Sequence, residues 1–150
     1  MRLPHALLIF LAVAAPEPVF AQVAAADSGD TGWMLLCALL LLVAALPGLM
    51  LRHGGQVNVR SALSVMAQGA AVAAMASIVW ALAGYSLAYA PGGSWIGGGA
   101  NLLLANLGQL PDGLTVPESA FVLFQLGLAL IAACLPGGAV AERTPIGWWI

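Results

Sequence analysis

The sequence predicts an all-α, polytopic membrane helix bundle. Of its 150 residues, 62% are hydrophobic and only 7% are charged, whereas soluble domains carry about 25% charged residues. Three stretches have no charge at all, and they cover residues 31–51, 61–111 and 119–141. About 20 helical residues cross the hydrocarbon core of a bilayer. Because lipid offers no hydrogen-bond partner to an exposed backbone, segments that cross it must be helical.

The composition excludes several functional classes. The chain has no lysine and only four arginines, so it lacks the basic patch that nucleic-acid binding requires. It has no carboxylate pair, histidine cluster, Cys-x-x-Cys motif, nucleophile motif or phosphate-binding loop. The sequence therefore gives no support for an enzyme, a metal centre or a bound cofactor.

Residues 1–21 have the pattern of a secretory signal peptide. Arg2 and His5 precede an apolar run, and a small-x-small motif ends at Ala21. The apolar run has about ten residues, which is too short to cross a membrane. We therefore predict cleavage after Ala21, which leaves the mature N-terminus outside. An uncleaved anchor helix is the alternative.

The first predicted membrane helix covers residues 31–51. Trp33 marks one end as an interfacial anchor, and Arg52 and His53 close the other end. Pro47 lies in the last turns, where its ring removes a backbone hydrogen bond and predicts a kink. The polar connection that follows holds two of the four arginines. The positive-inside rule therefore places this connection in the cytoplasm.

The second predicted helix covers residues 62–89, since Tyr89 and a Pro-Gly-Gly sequence end the apolar run. Small residues recur at every fourth position along it, at Gly69, Ala73 and Ser77. Such a stripe allows another helix to approach closely. We therefore expect this helix to lie inside a bundle of several helices.

A loop over residues 90–118 is predicted to connect the second and third helices outside the membrane. It carries Asp112 and Glu118 and no basic residue, which is typical of an extracytoplasmic loop. Residues 101–110 within it are apolar but too short to cross the membrane. They favour a helical turn or two at the interface.

The third predicted helix covers residues 119–141. Pro136 and two glycines interrupt it, and Arg143 follows it on the cytoplasmic side. The last residues, with their Pro-Ile-Gly-Trp-Trp sequence, resemble the interfacial start of another helix. The charges together predict a multi-pass protein of the inner membrane with its N-terminus outside.

Few side chains in the predicted helices can carry chemistry. We expect no ionisable residue inside the three spans, although such residues are the usual markers of ion paths. The amide of Gln125 either hydrogen-bonds a neighbouring helix or faces a water-filled path. We expect His53 to be an interfacial residue, and Cys37 and Cys134 to act as small hydrophobic residues without a disulfide.

Several motifs in order resemble the ammonium transporter (Amt/Rh) family over residues 30–143. The first helix has Cys37 and a Pro-Gly pair, and a Gly-Gly pair follows it. Residues 84–89 read Gly-Tyr-Ser-Leu-Ala-Tyr, and Trp-Ile-Gly comes shortly after. The third helix contains Phe124-Gln125 and closes with Ala-Glu-Arg. Their order and spacing are similar to those of the first three helices in that family.

The resemblance implies a homotrimer with one pore in each subunit. Ammonium would enter an aromatic vestibule, lose its proton and cross a dry pore as ammonia. A ring face attracts a cation by about 0.5–2 kcal/mol, and a dry pore excludes charge. By position, Phe124 matches an outer vestibule aromatic and Gln125 its neighbour, while Leu128 stands where the family commonly has a second phenylalanine at the outer gate. These three residues are the substrate-binding candidates, with core packing as the alternative for Phe124.

The resemblance also implies that the chain is partial. The family's pore histidines and vestibule tryptophan belong to later helices. We therefore expect a signal peptide (1–21) and the N-terminal part of a transporter domain (22–150) that does not transport alone. Expected partners are ammonium or ammonia, the lipid bilayer and a P-II-type regulator. Two alternatives stay open: a small three-helix protein that associates with or regulates full-length transporters, and the membrane part of an ammonium sensor.

Overall fold

Three long apolar helices make up most of the structure, a computed structural model that describes residues 26–105, 107, 110 and 113–143. They are α1 (Ser28–Gly55), α2 (Val59–Tyr89) and α3 (Glu118–Val140), and each is long and apolar enough to cross a membrane. Within the described residues there is no strand, so the predicted fold class is confirmed. The predicted signal peptide, Asp112 and the tryptophan-rich sequence after Arg143 lie outside the described residues.

α1 changes its winding near the predicted kink. A π-helical turn occupies Ala44–Gly48 and contains Pro47. Because proline has no N–H to donate, a wider turn takes the place of the regular bonding at this point. The helix then continues as an α-helix to Gly55, so that Arg52 and His53 lie in its last turn instead of behind it.

α2 packs through the predicted stripe of small residues. A Cβ atom built on Gly69 would lie only 3.2 Å from Cγ of Met50 on α1, and Ala73 is buried. Ser77 turns its hydroxyl back and donates a 2.8 Å hydrogen bond to the carbonyl of Ala73. Close packing is therefore confirmed at the first two positions. A second π-helical turn, Trp80–Gly84, lies near the end of this helix.

α3 runs as one helix over Glu118–Cys134 and resumes as a short turn over Gly137–Val140. The predicted interruption at Pro136 is present. The helix packs closely on α1 at Gly127, where a Cβ atom would come within 2.7 Å of Cβ of Leu41.

The buried core lies where the three helices meet. It contains mostly small side chains, one or two from each helix: Ala45, Val72, Ala73, Leu130 and Cys134. Small side chains let the helix axes approach, and dispersion contacts then hold the helices together where lipid provides no hydrophobic drive. Cys37 and Cys134 are both free thiols.

The loop after α2 folds back on the end of that helix. The hydroxyl of Ser86, which is fully buried, donates to the carbonyl of Gly98 at 2.7 Å and accepts from the N–H of Asn101 at 3.1 Å. The N–H of Gly97 donates to the carbonyl of Leu87 at 2.7 Å. A short 3-10 turn over Leu102–Leu104 stands where a helical turn is predicted. Residues 106, 108 and 109 of that predicted turn lie outside the described part.

Candidate functional site

The two ends of the helix bundle differ in charge. At one end α1 and α3 begin and α2 ends, and we call it the acidic end. Its charged residues in the described part of the chain are Asp27, Asp30 and Glu118. The opposite end, which we call the basic end, holds Arg52, Arg60, Glu142 and Arg143. An excess of negative charge at one end raises the local concentration of cations there.

Two exposed aspartates tie the start of α1 to the segment before α3. Asp27 caps the helix, since its Oδ1 accepts from the N–H of Asp30 at 2.9 Å. Its own N–H donates to the carbonyl of Thr115 at 2.8 Å. Thr115 in turn donates through its hydroxyl to Oδ2 of Asp30 at 2.5 Å. The acidic end is thus a connected structure across two segments that lie far apart in the sequence.

Glu118 is the central group of the acidic end. Its side chain is only 8% exposed, and its Oε1 accepts from the hydroxyl of Tyr85 at 2.7 Å and from Nδ2 of Asn101 at 3.1 Å. One donor comes from α2 and the other from the loop. Glu118 is predicted to end the loop, but it is the first residue of α3. The third helix therefore begins one residue before the predicted span, with an ionisable residue at its first position.

A cluster of four aromatic rings reaches this carboxylate through Tyr85. Tyr89 is central to them, with centroid distances of 5.4 Å to Tyr85, 5.1 Å to Phe121 and 6.4 Å to Trp80. Three of the four ring contacts are edge-to-face, the arrangement that ring quadrupoles favour. Tyr85 is buried, whereas Tyr89 is 45% exposed. The cluster therefore joins a buried anion to an accessible ring face.

Trp80 contributes an unused donor to the same cluster. Its ring lies 5.9 Å from that of Tyr85. Its Nε1 is buried and has no hydrogen-bond partner within the described part of the chain. A buried indole N–H usually finds an acceptor, so this group is positioned for one that the described residues do not provide.

The predicted substrate-binding residues lie on another part of α3. At about 100° per residue, Phe124 and Leu128 lie about 60° and 100° around the helix from the buried Gly127, and Gln125 about 160°. Leu128 is 43% exposed, and Phe124 and Gln125 are half-buried. The amide of Gln125 makes no hydrogen bond to any residue that the structure describes. The structure brings these three residues together on one side of α3, and Phe121 of the ring cluster lies on the same side, about one turn nearer the acidic end.

His53 lies in the opposite half of the structure, near the basic end. It is expected at the membrane surface, but it is buried. The short turn at the end of α3 covers it, because a Cβ atom on Gly138 would lie 2.9 Å from its Nε2. His53, Gln68 and Cys134 line a cavity of about 20 Å³, which is room for one water molecule.

A sequence profile described as Ammonium Transporter Family matches residues 32–150. The chain belongs to the ammonium transporter family. It is 41% identical over 121 residues to an ammonium transporter of Bacillus subtilis (strain 168), covering 79% of the chain and 30% of that relative. It is 33% identical over 142 residues to one from Mycobacterium bovis, covering 83% and 30%. A third, from Aquifex aeolicus, is 31% identical over 135 residues, covering 87% and 31%.

The chain therefore spans about a third of the length of the curated relatives that it matches. The resemblance inferred from the motifs is confirmed, and the family is one of transporters rather than enzymes. With three apolar helices of spanning length, this member of the ammonium transporter family is a multi-pass membrane protein.

In this ammonium transporter family member, sequence reasoning missed the cluster around Glu118. One local signal was available, because a Pro-Glu pair directly before an apolar run is typical of a helix start. That signal places Glu118 on α3 but not next to Tyr85. The contact between them depends on how the loop and two helices pack.

Proposed function

We propose that this chain takes part in transmembrane transport of ammonium or ammonia, as the N-terminal part of a channel-type transporter. The observation that carries this proposal is the family match over residues 32–150. The architecture supports it, because three apolar helices that bury mainly small side chains form part of a larger helix bundle more readily than a complete pore.

The charge distribution supports an orientation with the acidic end outside and the basic end in the cytoplasm. Arg52, Arg60 and Arg143 all lie at the basic end, and the positive-inside rule assigns such an end to the cytoplasm. In this orientation the residues before Ser28 start outside, in agreement with cleavage of residues 1–21 as a signal peptide. We place the protein in the inner (plasma) membrane, with the basic end as the surface for a P-II-type regulator.

The side of α3 that carries Phe124, Gln125 and Leu128 supports a role along the substrate path. It lies beside the contact that Gly127 makes with α1, and Leu128 is 43% exposed in the described part of the chain. The ring of Phe124 supplies a face for a cation. The amide of Gln125, which has no partner among the described residues, supplies a donor and an acceptor. Further helices and a homotrimeric assembly would complete the vestibule that these residues begin.

Uptake of radiolabelled methylammonium tests this proposal. The complete gene product and residues 1–150 alone are expressed in a bacterium that lacks its own ammonium transporters, and immunoblots of the membrane fraction measure insertion. We expect saturable uptake, inhibited by ammonium, from the complete gene product and none from residues 1–150. Absence of uptake from an inserted complete product would contradict the proposed function. Uptake by residues 1–150 would contradict the need for further helices.

A matched pair of variants tests the assigned face. Phe124→Leu removes a ring from the middle of that face, and Phe121→Leu removes a ring about one turn nearer the acidic end. We expect Phe124→Leu to raise the half-saturation concentration for methylammonium by about threefold, since an exposed cation–π contact contributes about 0.5–1 kcal/mol. An unchanged value at normal membrane abundance would show that Phe124 is a packing residue.

A further inference from the structure

The small cavity near the basic end brings together an imidazole and a thiol from different helices. His53 lies in the last turn of α1 and Cys134 in α3, and both line the cavity of about 20 Å³. Cys134 lies about one helical turn before Gly138, the residue of α3 that packs against the His53 ring. The two side chains are far apart in the sequence, and only the packing of the helices joins them.

The residues around this pair leave both side chains without a good partner. His53 is 8% exposed, and its ring nitrogens have no hydrogen-bond partner within the described part of the chain. Cys134 is buried, and its Sγ reaches only the carbonyl oxygen of Gly69, at 4.0 Å. Buried polar groups normally have a partner. The imidazole is therefore positioned for a ligand that the described residues do not provide.

This pair of donors selects a soft monovalent metal ion. Thiolate sulfur favours soft ions such as Cu(I), and imidazole also binds copper. In the part of the chain that the structure describes, no group of three or more histidine, cysteine or carboxylate side chains is placed to hold a metal. Structural zinc needs a complete tetrahedral set of ligands, whereas Cu(I) and Ag(I) accept fewer. A thiolate also neutralises a monovalent ion, but a divalent ion would leave an unpaired charge in a buried site.

The cavity has a route from the basic end. Val65 and Gln68 line both the cavity and a wider opening of about 530 Å³, so they lie between the two. Arg60, Glu142 and Arg143 also line this opening. Because free Cu(I) disproportionates in water, it travels as complexes with anionic ligands. The two arginines attract such complexes, which can then pass the ion to the buried donors.

We propose that His53 and Cys134 bind one soft monovalent metal ion, Cu(I) or Ag(I), in the cavity between the three helices. On binding, the S–H bond of Cys134 breaks, a bond between sulfur and the metal forms, and the proton passes to water at the basic end. The metal keeps its oxidation state. Neutral His53 supplies the second bond from a nitrogen lone pair. The ion ties the last turn of α1 to α3, and the site is independent of the proposed transport function.

Competition for Cu(I) tests the site. The complete gene product is purified in detergent without oxygen and titrated, with ascorbate present, into the coloured complex of Cu(I) with bicinchoninate. The loss of absorbance measures transfer of the ion to the protein. Cys134→Ser and His53→Phe each remove one donor. The matched control is Cys37→Ser, which removes the other free thiol, a residue that does not line the cavity.

We expect the affinity for Cu(I) to fall about tenfold or more in Cys134→Ser and in His53→Phe, since even outer-shell partners of a metal contribute about 10–100-fold. Cys37→Ser should bind Cu(I) as the unaltered protein does. An unchanged affinity in either Cys134→Ser or His53→Phe would overturn the site and leave the cavity to a water molecule. Equal binding of Zn(II) through the same two residues would overturn the assignment to a monovalent ion.

A second variant and a second measurement keep the test decisive if Cys134→Ser folds poorly. Cys134→Ala keeps a small apolar side chain in the core, and the same loss of affinity is expected. X-ray absorption of the unaltered protein, loaded with less than one equivalent of Cu(I), should show both sulfur and nitrogen next to copper, and absence of sulfur would refute the proposal. Methylammonium uptake is a separate readout. Copper binding without uptake refutes transport alone, whereas uptake without copper binding refutes the metal site alone.

Discussion

Replacing Gly97 by alanine is expected to detach the loop after α2 from the helix end. A Cβ atom at this position would lie 2.6 Å from the carbonyl oxygen of Ser86 and 2.8 Å from those of Leu87 and Ala90. Favourable contacts between carbon and a carbonyl oxygen have lengths of about 3.3–3.6 Å. Because all three atoms belong to the backbone, no side chain can rotate away. The loop must move by about 0.5–1 Å.

The energetic consequence follows from the bonds that such a movement breaks. The N–H of Gly97 donates to the carbonyl of Leu87 at 2.7 Å, and a bond of this kind contributes about 1 kcal/mol. The carbonyl of the next residue, Gly98, accepts a hydrogen bond from the hydroxyl of Ser86 at 2.7 Å. This hydroxyl is fully buried, and leaving its proton without an acceptor costs about 1–3 kcal/mol. We expect Gly97→Ala to lower the free energy of unfolding by about 2–4 kcal/mol.

Gly93→Ala is the matched control in the same loop. A Cβ atom on Gly93 has as its nearest neighbour the carbonyl of Ile96, at an ordinary distance of 3.7 Å. Alanine there restricts the unfolded chain, so stability should stay the same or rise by about 0.4–1 kcal/mol. Unfolding of both variants in detergent, followed by circular dichroism, gives the comparison. If Gly97→Ala is as stable as Gly93→Ala, the close packing of the loop does not contribute to stability and the reasoning fails.

Three further substitutions probe the contacts between the helices and the substrate-binding side of α3. Tyr85→Phe removes a donor from the buried carboxylate of Glu118 and should lower the free energy of unfolding by about 2 kcal/mol; a loss below about 0.5 kcal/mol would contradict this. Gly127→Leu forces α3 away from Leu41, so unfolding in detergent should show a loss of about 1–3 kcal/mol, and an unchanged transition would refute the contact. Leu128→Phe adds a ring face and should lower the half-saturation concentration for methylammonium uptake about two- to fivefold. Unchanged uptake and competition by ammonium would contradict that role.

The helices themselves could be predicted from the sequence because lipid imposes a simple rule. A long run without charges, with Trp33 at one end and Arg52 at the other, predicts a span from burial and charge alone. The close packing of Gly69 also follows from a local pattern of small residues. The limits of each helix depend on more than hydropathy, since a helix can continue past an arginine, as α1 does to Gly55.

The surroundings of two ionisable groups could not be predicted in the same way. Hydropathy assigns any charged residue to a loop, and the burial of Glu118 depends on Tyr85 and Asn101, which are 33 and 17 positions away in the sequence. His53 is buried because Gly138, from another helix, lies against its ring. No periodicity in the sequence encodes either contact.

The substrate-binding candidates came from family resemblance and not from physical patterning. Phe124, Gln125 and Leu128 are ordinary residues for a membrane helix, and only their match to a known motif suggested a role. The structure locates them on one side of α3, and their role stays a prediction. The ring cluster that reaches Glu118, by contrast, is defined by distances and burial in the structure.

The π-helical turn Trp80–Gly84 sets the rotational phase of α2. At about 100° per residue, a regular helix would direct Tyr85 about 120° away from Ala73. The wider turn absorbs about one extra residue, so the offset falls to about 20°, and both residues are buried. Deleting a single residue within this turn would rotate the tyrosine hydroxyl about 100° away from Glu118. The hydrogen bond between Tyr85 and Glu118 would then be lost, although every side chain at the acidic end would still be present.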